Sequence, residues 1–160
     1  MSNDPAELEL PPSGTSGVEL PAVLRPVVRA MMGTGGLMFR LGMKIQGRPL
    51  LRLTTTGART GRRRTAVLGW FPADDGSGSW IVVASNGGSA RHPGWAYNLA
   101  KDPAGATADV GEGPVAVSAQ LITGPERETV WKRIVEMAPG YGPYGQKTDR
   151  EIPIFRLTPS

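Results

Sequence analysis

The sequence predicts an α+β protein with an antiparallel sheet or small barrel of about six strands and short flanking helices. Two observations indicate this class. From residue 50 onward, the chain consists mainly of short apolar or alternating segments joined by Gly-, Asp- or Pro-containing connections of hairpin length. Short helical patterns interrupt these segments, and no G-x-G-x-x-G motif follows a strand, which disfavours a Rossmann dinucleotide site.

The amino-terminal third is expected to be irregular and then helical. Residues 1–19 are polar, aperiodic and rich in Pro and Gly, so they predict a disordered acidic arm ahead of a single domain over residues 20–160. Residues 21–32 predict a helix with a Val/Leu/Met face opposite Arg25 and Arg29. Such a helix is expected to pack across the barrel or onto a second subunit of a homodimer. Contact with an anionic membrane surface is the less favoured alternative. A second short helix is expected within residues 37–45.

The remaining elements follow in order along the chain. Strands are expected over residues 50–55, 65–71, 80–85, 106–110, 115–122 and 152–158. Helices are expected over residues 93–101 and 126–138, the second preceded by Thr123 and Glu126 at capping-box spacing. A Gly/Pro-rich loop over residues 139–145 carries Tyr141 and Tyr144.

Composition limits the possible chemistry. The chain has 160 residues and a net charge of +4, while its first twenty residues contain four acidic and no basic residues. The basic body favours anionic partners, without choosing among phosphorylated cofactors, nucleic acid and lipid. With no cysteine and a single histidine, His92, cysteine-based chemistry and multi-histidine sites are excluded, and no metal is expected. A cytoplasmic protein is expected, because no apolar run reaches about 18 residues and no signal peptide is evident.

Residues 51–64 (L-R-L-T-T-T-G-A-R-T-G-R-R-R) are the strongest local signal. Hydroxyls, glycine-turn amides and clustered guanidinium groups suit a phosphate- or carboxylate-rich ligand, although a solvated basic turn explains the same pattern. Arg59, Arg62 and Arg64 are the first candidates for binding this ligand. Because side chains alternate between the faces of a strand, some of residues 62–64 must point away from it. Nucleic acid is disfavoured as a partner, since no exposed aromatic residues interleave with the arginines.

Three motifs in order resemble the deazaflavin (F420)-dependent nitroreductase family over residues 38–159. They are T-T-T-G-A-R-T-G-R-R-R-T, A-S-N-G-G-S-A-R-H-P-G-W-A-Y-N-L and E-M-A-P-G-Y-G-P-Y-G-Q-K-T-D-R-E-I-P-I-F. The resemblance implies a split β-barrel that binds F420 and transfers a hydride to a quinone or nitroaromatic acceptor. The alternatives are an FMN-binding split-barrel oxidoreductase and a non-catalytic module that binds coenzyme or nucleic acid.

The resemblance also implies site residues. The coenzyme is expected to place its phosphate and acidic tail on the loop of residues 55–64 and its ring at the turn of residues 85–88. The residues expected to contact it are Thr55, Thr56, Gly57, Arg59, Thr60, Gly61, Arg62, Arg64, Thr65, Ser85, Asn86, Gly87, Gly88 and Asn98. Catalytic hydroxyls are expected from Ser85, Tyr141 and Tyr144. Relatives often carry Lys where this chain has Asn86, and some carry an aromatic residue where it has Ala138, which predicts a roomier pocket. His92 is expected to be a helix cap or an exposed residue rather than a general acid.

Overall fold

The computed structural model describes residues 6–27, 30 and 35–160. The strands are β1 (Leu50–Thr56), β2 (Arg63–Gly69), β3 (Phe71–Pro72), β4 (Trp80–Val83), β5 (Ala106–Asp109), β6 (Val115–Leu121) and β7 (Ile154–Pro159). The helices are α1 (Gly35–Arg40), α2 (Gly94–Lys101), α3 (Gly124–Met137) and α4 (Gly142–Lys147), with 3-10 turns at Asn86–Gly88 and Pro139–Tyr141. These elements confirm the predicted α+β class.

The strands form one antiparallel sheet in the order β2-β1-β5-β6-β7-β4-β3. Strands β2 and β3 lie at opposite edges of this sheet, yet only Trp70 separates them along the chain. The sheet therefore has to curl until the β2 and β3 edges approach each other at Trp70, and the curled sheet has the shape of a half-barrel. The strand expected over residues 65–71 is divided at Trp70, where the backbone N–H donates to the carbonyl of Pro49, and this division accounts for seven strands instead of six.

Two apolar clusters pack against the sheet. The first includes Leu53, Leu99 and Phe155, and joins β1 and β7 to α2. The second includes Ile134 and Ile154, and joins β7 to α3. Neighbouring residues of β7 thus enter different clusters, as the alternation of side chains in a strand requires.

Residues 6–19, here called the N-terminal strap, lie along the folded body, and the prediction of a disordered arm is wrong for them. Backbone N–H groups of Leu8, Gly14 and Val18 donate to carbonyls of the body at 2.7, 2.8 and 3.0 Å. Leu8 and Leu10 also pack against the first cluster. The backbone of the strap bonds to distant parts of the chain and not to itself. Such contacts need no periodic pattern of side chains, so the composition of the strap did not reveal them. Residues 1–5 lie outside the described residues.

The amino-terminal helix is described only in part. Residues 25–27 and 30 are helical, while residues 28–29 and 31–34 of the predicted helix and its end lie outside the described residues. Val23 and Val27 are 79% and 55% exposed, so the described residues 21–27 do not pack across the barrel. No helix within the described ranges has the length and apolarity needed to cross a membrane.

The predicted capping box before α3 forms only in part. Thr123 has the extended backbone of an N-cap residue, with φ −132° and ψ 170°, but its side chain makes no capping hydrogen bond. Glu126 instead pairs with Arg156 of β7. The carboxylate therefore ties the helix to the sheet.

Candidate functional site

Residues 57–62, here called the arginine loop, connect β1 to β2. The backbone N–H of Gly57 donates to the carbonyl of Arg62 at 2.7 Å, and that of Gly61 donates to the carbonyl of Gly57 at 2.8 Å. Gly61 has a φ of 68°, a left-handed conformation that favours glycine. Within this tight closure Arg59 and Arg62 are exposed, whereas the Thr60 hydroxyl folds back and accepts from the N–H of Arg62 at 3.3 Å.

The arginines at this loop divide into two groups. Arg63 donates to Thr56 Oγ1 at 3.0 Å and to the carbonyl of Gly105 at 2.7 Å, so it is a structural residue. The remaining three are exposed, and their guanidinium groups make no hydrogen bond or ion pair within the described residues: Arg59, Arg62 and Arg64. The expectation that alternation turns one arginine away is therefore met by Arg63.

The arginine loop is held in place by Asn98 of α2. Its Nδ2 donates to Thr55 Oγ1 at 3.0 Å, and its Oδ1 accepts from the backbone N–H of Ala58 at 2.9 Å. Asn98 and Thr55 are 9% and 2% exposed. Both side chains were expected to contact a coenzyme, but the structure commits their polar atoms to one another and to the loop. They hold the loop that carries the arginines, and their contact with a coenzyme stays a prediction.

The β1–β2 register separates the remaining tail candidates. Thr55 lies opposite Arg64, whereas Thr56 lies opposite Arg63 and Thr54 opposite Thr65. Because successive side chains alternate between faces, Thr56 and Thr65 lie on the face away from Thr55 and Arg64. The structure therefore does not bring all of the predicted tail residues onto one surface.

The turn after β4 forms an amide cradle, defined here as the backbone N–H groups of Ser85, Asn86 and Gly87. Ser85 is right-handed, with φ −70° and ψ −32°, and Asn86 and Gly87 follow with positive φ values of 45° and 62°. This sequence of conformations forms a nest in which consecutive N–H groups converge on an anion or a polarised oxygen. None of the three donates a hydrogen bond within the part of the chain that the structure describes.

Arg150 lies behind the amide cradle and was not identified from the sequence. Its Nη2 donates to the carbonyls of Ala84 and Ser85 at 3.1 and 2.8 Å, and its Nε donates to the carbonyl of Ser89 at 2.7 Å. Arg150 is only 5% exposed, and its charge is balanced by carbonyl dipoles. By holding these carbonyls on one side, Arg150 fixes the shape of the turn. The third motif contains Arg150, but sequence alone reads it as one more surface charge.

His92 is a structural link between Arg150 and the strap. Its Nδ1 accepts from Arg150 Nη1 at 3.0 Å, and its Nε2 donates to the carbonyl of Pro11 at 2.6 Å. Burial lowers the pKa of His92 below its ordinary value, and the adjacent guanidinium acts in the same direction. The expectation of a cap or exposed residue is wrong, because the strap covers the ring.

Helix α4 joins the amide cradle to the tyrosines. A Cβ on Gly88 would lie 2.9 Å from Lys147 Cβ, so only glycine allows this approach. Lys147 Nζ lies 5.6 Å from the centre of the Tyr144 ring. Asn86, by contrast, uses its Nδ2 to donate to the carbonyl of Arg91 at 3.0 Å. Lys147, which sequence reasoning did not assign, thus lies between this turn and Tyr144 and adds a second cation to that of Arg150.

Tyr141 and Tyr144 occupy different environments. The segment that carries them was expected to be a loop, but it forms a 3-10 turn followed by α4. Tyr141 is 6% exposed and packs edge-to-face on Phe71, with ring centres 5.5 Å apart. Burial raises the pKa of Tyr141. Tyr144 is only partly buried, and its hydroxyl accepts from Gln46 Nε2 at 2.6 Å. Tyr144 is thus placed at the surface of the site, and Tyr141 is a core residue that supports it.

Comparison with known proteins identifies relatives of the whole body of the chain. The family model described as F420H(2)-dependent quinone reductase matches residues 23–159. The F420H(2)-dependent quinone reductase of Mycobacterium tuberculosis strain H37Rv is 38% identical over an alignment of 130 positions, and the alignment covers 79% of this chain and 83% of that protein.

Two solved structures share the fold with a TM-score of 0.60. One is an F420-H2 dependent reductase called FDR-A, which is 37% identical and covers 69% of this chain and 94% of its own. The other is described as a domain-swapped dimer, is 32% identical, and covers 82% of this chain and 98% of its own. The resemblance to F420-dependent reductases is thereby confirmed. The chain belongs to the F420H2-dependent quinone reductase family.

Proposed function

We propose that this protein is an F420H2-dependent reductase whose acceptor is a quinone. Membership of the family supports the coenzyme. The observation that carries the proposal is the amide cradle, in which three N–H groups without a partner in the described ranges converge and the buried guanidinium of Arg150 donates to the carbonyl of Ser85. Such a cradle suits the carbonyl edge of a deazaflavin ring, because amide dipoles and a nearby cation stabilise electron-rich oxygens.

The acidic tail of the coenzyme is assigned to the exposed arginines. Arg59, Arg62 and Arg64 have guanidinium forks without internal partners in the described ranges. Guanidinium forks bind phosphate and carboxylate oxygens in pairs, and the rigid arginine loop reduces the entropy lost on binding. Asn98 contributes by fixing the loop at Ala58.

The acceptor is assigned to the side of the cradle that carries Ser85 and Tyr144. When bound, the reduced deazaflavin supplies a hydride. The chain must then stabilise or protonate an acceptor oxygen that gains negative charge. The hydroxyl of Ser85 makes no hydrogen bond within the described residues, and that of Tyr144 accepts one bond while keeping its own proton to donate. Tyr141 is not assigned this role, since its ring is buried.

Residues 21–27 are proposed to make a peripheral contact. Val23, Leu24 and Val27 are exposed beside Arg25, a combination that suits either a second subunit or an anionic membrane surface holding quinones. The relative described as a domain-swapped dimer supports a homodimer. Light scattering tests the dimer, and sedimentation with phosphatidylglycerol vesicles tests the membrane contact.

The proposal is tested by F420H2 oxidation with a soluble quinone, and in parallel with a nitroaromatic acceptor. We expect Ser85→Ala and Tyr144→Phe to lower kcat by about tenfold or more with little change in F420 affinity. Arg59→Ala should weaken F420 binding, most clearly at low salt, because exposed charges are screened. Equal loss of F420 binding in all three variants would contradict this division of roles.

A further inference from the structure

We propose that Gln46 is a positioning residue that directs the hydroxyl proton of Tyr144 toward the acceptor. This inference rests on the proposed function, in which Tyr144 donates to an acceptor oxygen. No motif of the sequence pointed to Gln46, which lies before β1 and is 98 positions from Tyr144. Three features of the described residues carry it: a strained turn, a short hydrogen bond and a glycine that makes room for it.

Gln46 occupies a backbone position that its residue type disfavours. The backbone of Ile45 and Arg48 exchanges two hydrogen bonds, of 3.1 and 2.8 Å, across a two-residue turn. Gln46 and Gly47 have φ values of 49° and 74°, as a type I′ turn requires. Asn or Gly is the usual choice at such positions, and Gln is less favourable there because its Cβ crowds the following carbonyl oxygen. A residue retained in a strained conformation is a candidate for a functional role.

The side chain of Gln46 has a specific partner. Its Nε2 donates to Tyr144 Oη at 2.6 Å. Because the amide nitrogen is a donor, the hydroxyl proton of Tyr144 cannot point at it and is directed away from Gln46. The same bond occupies one lone pair of the hydroxyl oxygen, so the O–H remains the group that meets an acceptor.

Gly140 provides the space for this amide. A Cβ added at Gly140 would overlap with Gln46 Oε1. Gly140 does not have a positive φ, so its backbone conformation does not by itself require glycine. A residue without a Cβ is needed at position 140 because the Gln46 amide packs between Gly140 and Tyr144.

The ring of Tyr144 is fixed independently of its hydroxyl. Tyr141 meets it edge-on, with ring centres 5.7 Å apart, and Lys147 Nζ lies over it. These contacts hold the ring plane, but they do not set the torsion of the O–H bond. Gln46 sets that torsion.

The test uses substitutions that separate turn stability from proton placement. Gln46→Asn suits the left-handed turn but retracts the amide, so the thermal midpoint should stay equal or rise, while kcat falls about three- to tenfold at unchanged KM and F420 affinity. Gln46→Glu supplies an acceptor that competes for the proton, and should lower kcat further. Gly140→Ala should reproduce the kcat loss, because it displaces the amide without changing either partner.

Gly47→Asn is the matched control. Gly47 lies in the same turn at a φ that Asn tolerates, and a Cβ added there meets open space. The kcat of this variant should equal that of the parent. In a Tyr144→Phe background, the Gln46 substitutions should have no further effect on kcat. If they lower kcat equally there, or leave it unchanged in the parent, Gln46 has no positioning role. If Tyr144→Phe itself leaves kcat unchanged, the role proposed for Tyr144 is overturned, and this inference with it.

Discussion

Substitution of Asn98 by Ala tests how the arginine loop is positioned. The change removes two hydrogen bonds, of 3.0 Å to Thr55 Oγ1 and 2.9 Å from the N–H of Ala58. Ala58 is only half-buried and water can replace its partner, so that loss is about 0.5–1.5 kcal/mol. Thr55 is 2% exposed, and its unpartnered hydroxyl adds about 1–3 kcal/mol. The free energy of unfolding should fall by about 1.5–4.5 kcal/mol in all, which lowers the thermal midpoint by roughly 3–18 °C.

Urea denaturation measures the stability loss, and fluorescence titration with F420 measures the effect on the loop. We expect Asn98→Ala to weaken F420 binding at a temperature where the variant is still folded, because the arginines lose their fixed spacing. Lys101→Ala, at an exposed position of the same helix, serves as the control and should change neither quantity. An Asn98→Ala protein with parental stability and parental F420 affinity would refute the reasoning.

Three further predictions concern the residues behind the cradle. Arg150→Lys keeps the charge but loses the fork, so unfolding free energy should fall by about 2–4 kcal/mol and F420 should bind more weakly; parental F420 affinity would contradict a role in shaping the cradle. The pKa of His92 is lowered from 6.5 in the folded state, so the unfolded state binds the proton more tightly and stability should fall as pH drops below about 6.5. His92→Gln should flatten that slope in pH-dependent urea denaturation, and an unchanged slope would assign it to other groups. Hydrogen bonds from Thr15 and Ser16 lower the pKa of Asp149 to about 2, so proteolysis of the strap should increase as pH falls from about 4 to about 2, and Asp149→Ala should show fast cleavage already at neutral pH.

The sequence predicted those parts of the fold that depend on local patterns. The strand segments, their hairpin connections and the helices α2 and α3 were expected within a few residues of their observed limits, because alternation and helical periodicity are properties of neighbouring residues. The break at Trp70 was missed, since it arises where the sheet curls and its two edges meet. The strap was missed for a related reason, because its partners are backbone groups far away in the chain.

Two parts of the expected site carry visible chemical signals, the clustered arginines and the Ser-Asn-Gly-Gly turn, and the structure places them in the β1–β2 connection and in the turn after β4. The expected ligand contacts of Asn98 and Tyr141 stay predictions, and both side chains are buried in the structure. Burial decides whether a polar group faces a ligand or the protein, and a single sequence does not show burial. Arg150 donates to backbone carbonyls, and Gln46 donates to the hydroxyl of Tyr144 far along the chain. Contacts of these two kinds leave no motif of fixed spacing in the sequence.

Parallel titration of the purified protein with F420, FMN and FAD tests the central claim most directly. The exposed arginines and the amide cradle together predict saturable binding of F420, with affinity that decreases as salt is added because the tail contacts are ionic. FMN and FAD should bind much more weakly. Tight binding of FMN in preference to F420, or binding of none of the three, would contradict the proposal that this site holds a deazaflavin.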